Sequence, residues 1–347
     1  MFDRIVRYDP DRPSDWIVGL IADTWGINHF GALLTTLIGL AVIAALTWRG
    51  YSKFSRMIRL KSHVRLAVFV VGLGTTAGAF FGPLPNLGHK YFFIHQTDHL
   101  IVRLLGPMLI AVSRPDGWLA AGLSRRWRAK FSRVFQLPLL RAIRSPYGAT
   151  FLLILSLYIW QLPATYAYAQ VSELLEFIAH LGMVAAGISY FLALFSPGGL
   201  VGAWPYEARL MTVFVVIVSN ILLGALITLK EVSLYSSAPI AFPISERFGL
   251  PDETTGGYII WVPSSILMIV AIVLIMNGWS KFEEARWHGR HERRGSNSAT
   301  LEFPETAYEL RLKTAGPNRR MGRTLAIGSL AMFAIVITTA ITVLQFY

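Results

Sequence analysis

Long apolar runs alternate with short polar and basic stretches along the chain, and the runs have the length that a bilayer demands. A transmembrane helix needs roughly 20 consecutive apolar residues. Backbone groups in lipid must bond within their own segment, so helices are the default structure for such runs. The pattern therefore predicts an all-α, polytopic transmembrane helical bundle of about eight spans. These lie at 31–48, 65–84, 91–112, 147–169, 174–196, 206–229, 258–279 and 323–345.

The same pattern divides the chain into four regions. We expect an outer surface segment, a transmembrane core, a basic cytoplasmic loop and a final helix at 1–30, 31–280, 281–322 and 323–347, respectively. Residues 285–320 are polar and rich in turn formers, which favours a loose loop. Residues 117–135 mix aromatic and basic side chains, which is typical of an amphipathic helix on an anionic membrane surface.

Composition and charge agree with a membrane protein and set its orientation. The 347 residues are 54% hydrophobic and only 15% charged, less charge than a soluble domain carries. The net charge is +12, but the basic residues gather in the loops after the first, third and seventh spans. Basic loops stay in the cytoplasm, so both termini are expected on the outer, periplasmic side. Topology thus explains the charge, and we expect lipids rather than nucleic acid as partners.

Ionisable side chains inside the spans are the first candidates for function, because placing them in lipid is unfavourable in free energy. His95 and His99 lie four residues apart in the third span, a spacing that puts them on one helix face. The third and fifth spans both enter from the outer side, so His180 is expected at the same depth. Met183 follows His180 by three residues, on the same face.

These residues predict a metal site in the outer leaflet. The chain has no cysteine, which excludes thiolate ligands, and imidazole with thioether suits copper, with zinc as the competitor. Haem held by histidines is a second interpretation. The third is a metal-free cluster that bonds neighbouring helices. The candidate ligands are His95, His99, His180, Met183, Glu253 and Asp252, with Gln161, Asp98 and His89 as auxiliary polar groups.

Arg103 continues the face of His95 and His99 one turn deeper. A cation in the middle of a membrane needs a partner, and the sequence does not identify one. Asn220, in the sixth span, is expected to form an interhelical hydrogen bond.

Three blocks of the chain resemble the CtaG-type cytochrome c oxidase assembly factors, the membrane family associated with caa3-type oxidases. They are 95–100 with Pro107 and 113–115, 160–166 with His180, and 223–226 with 234–235 and 252–263. They are similar to the family's HMxQHLLL…P…RP, WHLPALY…H and LGA…LY…DQxxGGxxMWVP blocks, in the same order. Three positions depart from the pattern: Gln161 stands for the family's His, and Asp98 and Glu253 each stand for Gln.

The resemblance implies a membrane assembly factor for a haem–copper cytochrome c oxidase in the bacterial inner membrane. It implies oxidase subunits as partners, and copper bound or relayed at the histidines. We find no bond-breaking machinery in the sequence, so we expect no enzyme. The alternatives are a metal-free interaction protein or accessory subunit of a respiratory complex and, less favoured, a b-type membrane cytochrome.

Overall fold

A computed structural model describes most of the membrane core of the protein. The described residues are 30–54, 56–81, 84–196, 203–230, 232–235 and 251–293, with scattered positions between 306 and 334. The predicted surface segment 1–30 lies outside them except for its last residue, and the predicted final helix 323–345 lies largely outside them.

Every regular element of the described chain is helical. In chain order the helices are α1 (Phe30–Ser52), α2 (Arg56–Phe81), α3 (Leu84–Gly88), α4 (Phe92–Leu100), a π-helical turn (Ile101–Leu105), α5 (Gly106–Ser113), α6 (Asp116–Gly122), α7 (Arg125–Phe135), α8 (Pro138–Ile143), α9 (Pro146–Gln161), α10 (Pro163–Val171), α11 (Glu173–Leu194), α12 (Tyr206–Leu229) and α13 (Asp252–Arg293).

Several of these helices can cross a bilayer. Within the described residues, four helices have the length and hydropathy of a span, or five if a sharply bent pair counts as one. The four are Ser62–Phe80, Leu174–Leu194, Tyr206–Leu229 and Asp252–Ala285. The protein is therefore an all-α membrane protein, whereas the count of eight spans and the side of the termini stay predictions.

The bundle presents apolar side chains outward, and its interior combines an apolar core with many polar groups. On α13, Ile266, Ile269 and Val273 recur at helical spacing and are more than half exposed. The buried set, by contrast, contains His95, Arg103 and many other polar groups. An outward apolar surface of this kind is solvated by lipid tails.

The predicted span 147–169 is broken in the structure. α9 and α10 meet at an angle of 75°, because Pro163 lacks the N–H that would continue the helix. The hydroxyl of Thr165 donates to the carbonyl oxygens of Ile159 and Leu162 and satisfies acceptors freed by the break.

Two surface predictions also need correction. The segment 117–135 is not one helix: α6 ends at Gly122, and α7 begins after Ser124, whose side chain caps it by accepting from the Trp127 N–H. The polar stretch predicted as a loop from 285 remains helical to Arg293, at the end of α13. Its Glu, Ala and Arg residues are good helix formers, so low hydropathy did not mark a loop.

Interhelical contacts define two ends of the bundle. α4, α11 and α13 begin at one end, which we call the histidine end: Asp252 accepts from the Phe92 N–H, and His89 contacts Glu176 there. At the other, the basic end, α5 and α11 finish and α12 begins. Two of the basic loops meet there, since Arg65 donates to the Ser113 and Arg114 carbonyls and Lys53 donates to the Ala121 carbonyl.

α11 packs closely against the π-helical turn and α5. A Cβ on Gly187 would lie 2.2 Å from the Arg103 carbonyl oxygen and 2.8 Å from Pro107 Cγ. Glycine at this position therefore lets the helix that carries His180 approach the helix that carries His95 and His99. A Cβ on Gly182, five residues earlier, meets nothing within 4 Å.

This contrast gives a matched test of the packing. We expect Gly187→Ala to destabilise the detergent-purified protein by about 1–3 kcal/mol, because the methyl group would push the two helices apart. Gly182→Ala makes the same chemical change on the same helix and should leave the melting temperature unchanged or raised. Equal melting temperatures for the two variants would contradict the close approach.

Candidate metal centre

Three imidazoles meet inside the histidine end. The ring centroids lie 4.2 Å apart for His95 and His99, 5.3 Å for His99 and His180, and 6.4 Å for His95 and His180. All three side chains are buried. His99 and His180 lie at the same depth, about 10 Å along their helices from Phe92 and Glu173. The predicted convergence of α4 and α11 is thus present, and we call these residues the histidine trio.

Asp98 adds a carboxylate to the trio. Its Oδ2 lies 3.3 Å from His180 Nε2, and the residue is 1% exposed. Asp98 Oδ1 and His99 Nδ1 have no hydrogen-bond partner among the described residues, and Asp98 Oδ2 and His180 Nε2 have only their mutual contact. Buried polar atoms without partners call for an explanation, and a bound ion is one of them. Such atoms lie on the trio and on Asp98 beside it.

A pair of amides closes one side of this site. Gln161 Nε2 donates to Gln96 Oε1 at 2.6 Å, and the Tyr235 hydroxyl donates to the Gln161 carbonyl at 2.6 Å. Gln161 stands at the last turn of α9, where the helix breaks, and the break fixes its position. Gln161 Oε1 and Gln96 Nε2 lack partners among the described residues. The amide that replaces the family histidine thus lies beside α4, bonded to a neighbour of His95.

Met183, which the sequence predicts as a ligand, contacts apolar side chains in the structure. It is fully buried in an apolar cluster with Ala79 and Val102, against partly buried Phe80 and Trp160. Phe80 in turn stacks edge-on against the His180 ring at 5.8 Å. The thioether therefore belongs to the apolar wall behind His180.

Asp252 and Glu253 are engaged in holding the backbone. Asp252 accepts from the N–H groups of Phe92 and Phe93 at 2.7 and 3.1 Å and so caps the start of α4 from another helix. Glu253 pairs with Lys230 and accepts from the Leu234 and Tyr235 N–H groups at 3.2 and 3.1 Å. Asp252 thus positions the helix of His95, and Glu253 holds residues 230 and 234–235.

Arg103 lies one helical turn deeper in the bundle than His99, and its hydrogen-bond partners are uncharged groups. Its Nη2 donates to Asn220 Oδ1 at 2.9 Å and its Nη1 to the Leu153 carbonyl at 3.3 Å. The residue is 2% exposed, and its Nε has no partner among the described residues. The predicted interhelical role of Asn220 is therefore to solvate this cation. A fixed positive charge stands between the trio and the rest of the core.

Sequence reasoning missed Glu176. Its Oε2 lies 3.2 Å from His89 Nε2, and His89 Nδ1 lies 2.7 Å from Gln170 Oε1. Glu176 precedes His180 by four residues on α11, so both lie on one face of that helix. The same four-residue spacing singled out His95 and His99 and was the available signal. Glu176 and His89 form a rim pair between the outside and the trio.

The imidazole nitrogens of the trio and the oxygens of Asp98 are ligands that suit a transition metal. Their arrangement in this structure is not that of a closed metal site. Among the residues that the structure describes, no group of three or more His, Asp and Glu side chains is arranged to hold a metal ion. Imidazole and carboxylate are nevertheless ligands that copper and zinc accept. Rotation of side chains about a bound ion would be required to bring the free donors of His99, His180 and Asp98 together.

The fold and the site define a class: an all-helical membrane protein with a buried histidine cluster near one end of its bundle. Residues 37–281 match the cytochrome c oxidase caa3 assembly factor (Caa3_CtaG) family, and the chain belongs to that family. The match covers the trio, the rim pair and the basic end. Neither the curated proteins nor the solved structures gave a match.

The cap on α4 yields a testable result. We expect Asp252→Ala to lower the stability of the purified protein by about 1–2 kcal/mol, because the Phe92 and Phe93 N–H groups lose their acceptor. Asp252→Asn keeps one acceptor oxygen and should retain part of that stability. Thermal unfolding in detergent measures both. If alanine and asparagine give the wild-type midpoint, the cap does not hold α4 in place.

Proposed function

We propose that this assembly factor serves its cytochrome c oxidase by binding copper at the histidine trio, with Asp98 as a fourth ligand. One observation carries the proposal: two helices from different parts of the chain bring three buried imidazoles within 6.4 Å of one another, next to donor atoms without partners. A structural cluster of polar groups would be expected to satisfy its own donors and acceptors.

Copper fits this set better than the other ions. The trio offers nitrogen ligands, which suit copper and zinc, and an oxidase that contains copper is the client that the family implies. Haem is less favoured, because His95 and His99 lie side by side on one helix face, with ring centroids 4.2 Å apart, and such a pair suits a compact ion better than one face of a porphyrin. A protein that assists assembly by binding a metal does not need to catalyse a reaction.

The position of the rim pair supports a route by which a metal ion reaches the trio from outside the bundle. His89 is about one-third exposed, whereas Glu176 is nearly buried, and His180 is one turn further in. An ion captured by His89 and Glu176 would meet His180 next. Arg103 stands beyond His99 and would repel a cation, so the ion would leave by the route it entered. We therefore place loading and delivery at the same face.

The ligand set is tested by counting copper. We expect protein purified anaerobically with Cu(I) to hold stoichiometric copper, and the double variant His95→Ala, His99→Ala to lose it. His180→Ala should lose it as well, because that imidazole is the ligand supplied by α11. Metal analysis and an absorption spectrum of each sample measure copper and haem together.

His63→Ala provides the matched control, since His63 lies on α2 outside the trio and is exposed. It should hold as much copper as the wild type. Equal copper in the wild type and the double variant would refute the site, and a Soret band would favour the haem interpretation. Co-purification of oxidase subunits with both proteins, without copper in either, would favour a metal-free interaction protein.

Glu176 is expected to support the trio from the rim. We predict that Glu176→Gln weakens copper affinity by about 10–100-fold, the usual effect of losing a group next to a metal ligand. Saturating copper should still give the wild-type stoichiometry, because the trio is intact. Glu284→Gln removes an exposed carboxylate of α13 as a control. Unchanged affinity in Glu176→Gln, measured by competition with a chelator, would exclude the rim from the path.

A further inference from the structure

A recess opens at the basic end of the bundle, far from the trio. It consists of two cavities of about 550 and 370 Å³ that share Arg114, Phe195 and Ser196 in their walls. The recess is bordered by the ends of α5 and α11 and by the start of α12, and α13 forms its far side.

The recess is strongly basic. Arg141 and Arg144 line the larger cavity, Arg209 and Lys281 line the smaller one, and Arg114 lines both. Asp116 is the one carboxylate among the described lining residues. Five cations against one anion make the recess a site for negative charge.

Arg209 is a buried donor in the wall of the recess. Its Nε donates to the Trp204 carbonyl at 2.9 Å and its Nη1 to the Ser196 carbonyl at 2.6 Å. The Tyr206 ring lies 4.4 Å from the guanidinium carbon. The residue is 2% exposed, yet Nη2 has no hydrogen-bond partner among the described residues. A guanidinium fixed by three contacts thus keeps one donor unused beside a cavity.

Arg114 is held in an unusual backbone conformation. Its φ angle of 53° is left-handed, which is uncommon for a residue with a side chain. The Arg65 guanidinium donates to its carbonyl at 2.8 Å and fixes this turn. The turn ends α5 and brings the Arg114 side chain into both cavities. Such strain tends to persist where it positions a functional group.

The remaining wall is apolar. Phe135, Leu192 and Phe195 line the larger cavity, and Ile275 and Phe282 line the smaller one. Beside the recess, α7 exposes Trp127 and Phe131 among its arginines, the composition of a helix at a membrane surface. A molecule that matches both surfaces needs an anionic head and apolar chains.

We propose that this recess binds an anionic phospholipid, with its phosphodiester held by arginine and its acyl chains along the apolar wall. Guanidinium groups bind phosphate oxygens through paired, charge-assisted hydrogen bonds, and Arg209 has such a donor free. Basic pockets between transmembrane helices on the cytoplasmic side are typical sites for anionic headgroups. The proposal is independent of copper, because none of its residues touches the trio.

Native mass spectrometry of the full chain in detergent tests the site. Phosphatidylglycerol or phosphatidylcholine is added, and bound lipid is counted for wild type and for the double variant Arg141→Gln, Arg144→Gln. These two side chains lie at the rim, so the buried Arg209 is left intact. We expect the double variant to bind phosphatidylglycerol about tenfold more weakly. A change of that size corresponds to the loss of one charge-assisted hydrogen bond. Phosphatidylcholine should bind weakly to both proteins.

The double variant Arg126→Gln, Arg128→Gln is the matched control, since it removes the same charge from the exposed face of α7. It should bind phosphatidylglycerol as the wild type does. Equal weakening in both double variants would show attraction to a charged surface and overturn the recess as a site. Displacement of the lipid by excess inorganic phosphate would overturn the lipid in favour of a free phosphate site.

Discussion

The structure depends on one constraint: polar groups placed inside a bilayer must be satisfied within the bundle. Arg103 illustrates this, because its cation lies deep in the core and receives two acceptors from neighbouring helices, Asn220 Oδ1 and the Leu153 carbonyl. Asp252 follows the same rule when it crosses from α13 to cap α4. Such bonds tie helices distant in sequence together, and the close contact of Gly187 with the Arg103 carbonyl joins α11, which carries His180, to the same bundle.

Atoms without partners at the trio are informative against this background. At Pro163 a broken helix recovers its hydrogen bonds through Thr165, whereas other buried atoms, such as Arg103 Nε, keep no partner among the described residues. Around His99, His180 and Asp98 several such atoms gather in one place. A membrane protein has little reason to bury such atoms for stability alone. The ion that we propose at the trio would give these atoms partners.

Much of this could be predicted from the sequence, and the failures have identifiable causes. Helical spacing and a common depth predicted the meeting of His95, His99 and His180, because both features are local properties of helices. The direction of Asp252 and Glu253 could not be predicted, since it depends on how α13 packs against α4 and Lys230. Glu176 could have been predicted, because it precedes His180 by four residues on the same helix. Its pairing with His89 could not, because His89 follows α3 and approaches Glu176 only in the folded bundle.

The two ends of the bundle impose opposite electrostatic conditions on one molecule. The histidine end offers imidazole nitrogens and a carboxyl group, which are ligands for a cation, and the basic end presents Arg114, Arg144 and Arg209 to an anion. Arg103, between them, carries a charge that repels a metal ion from the interior. For the copper site that we propose at the trio, this charge would oppose passage of the ion through the bundle, and delivery would take place at the histidine end. The proposed function is therefore donation at one surface and not copper transport across the bilayer.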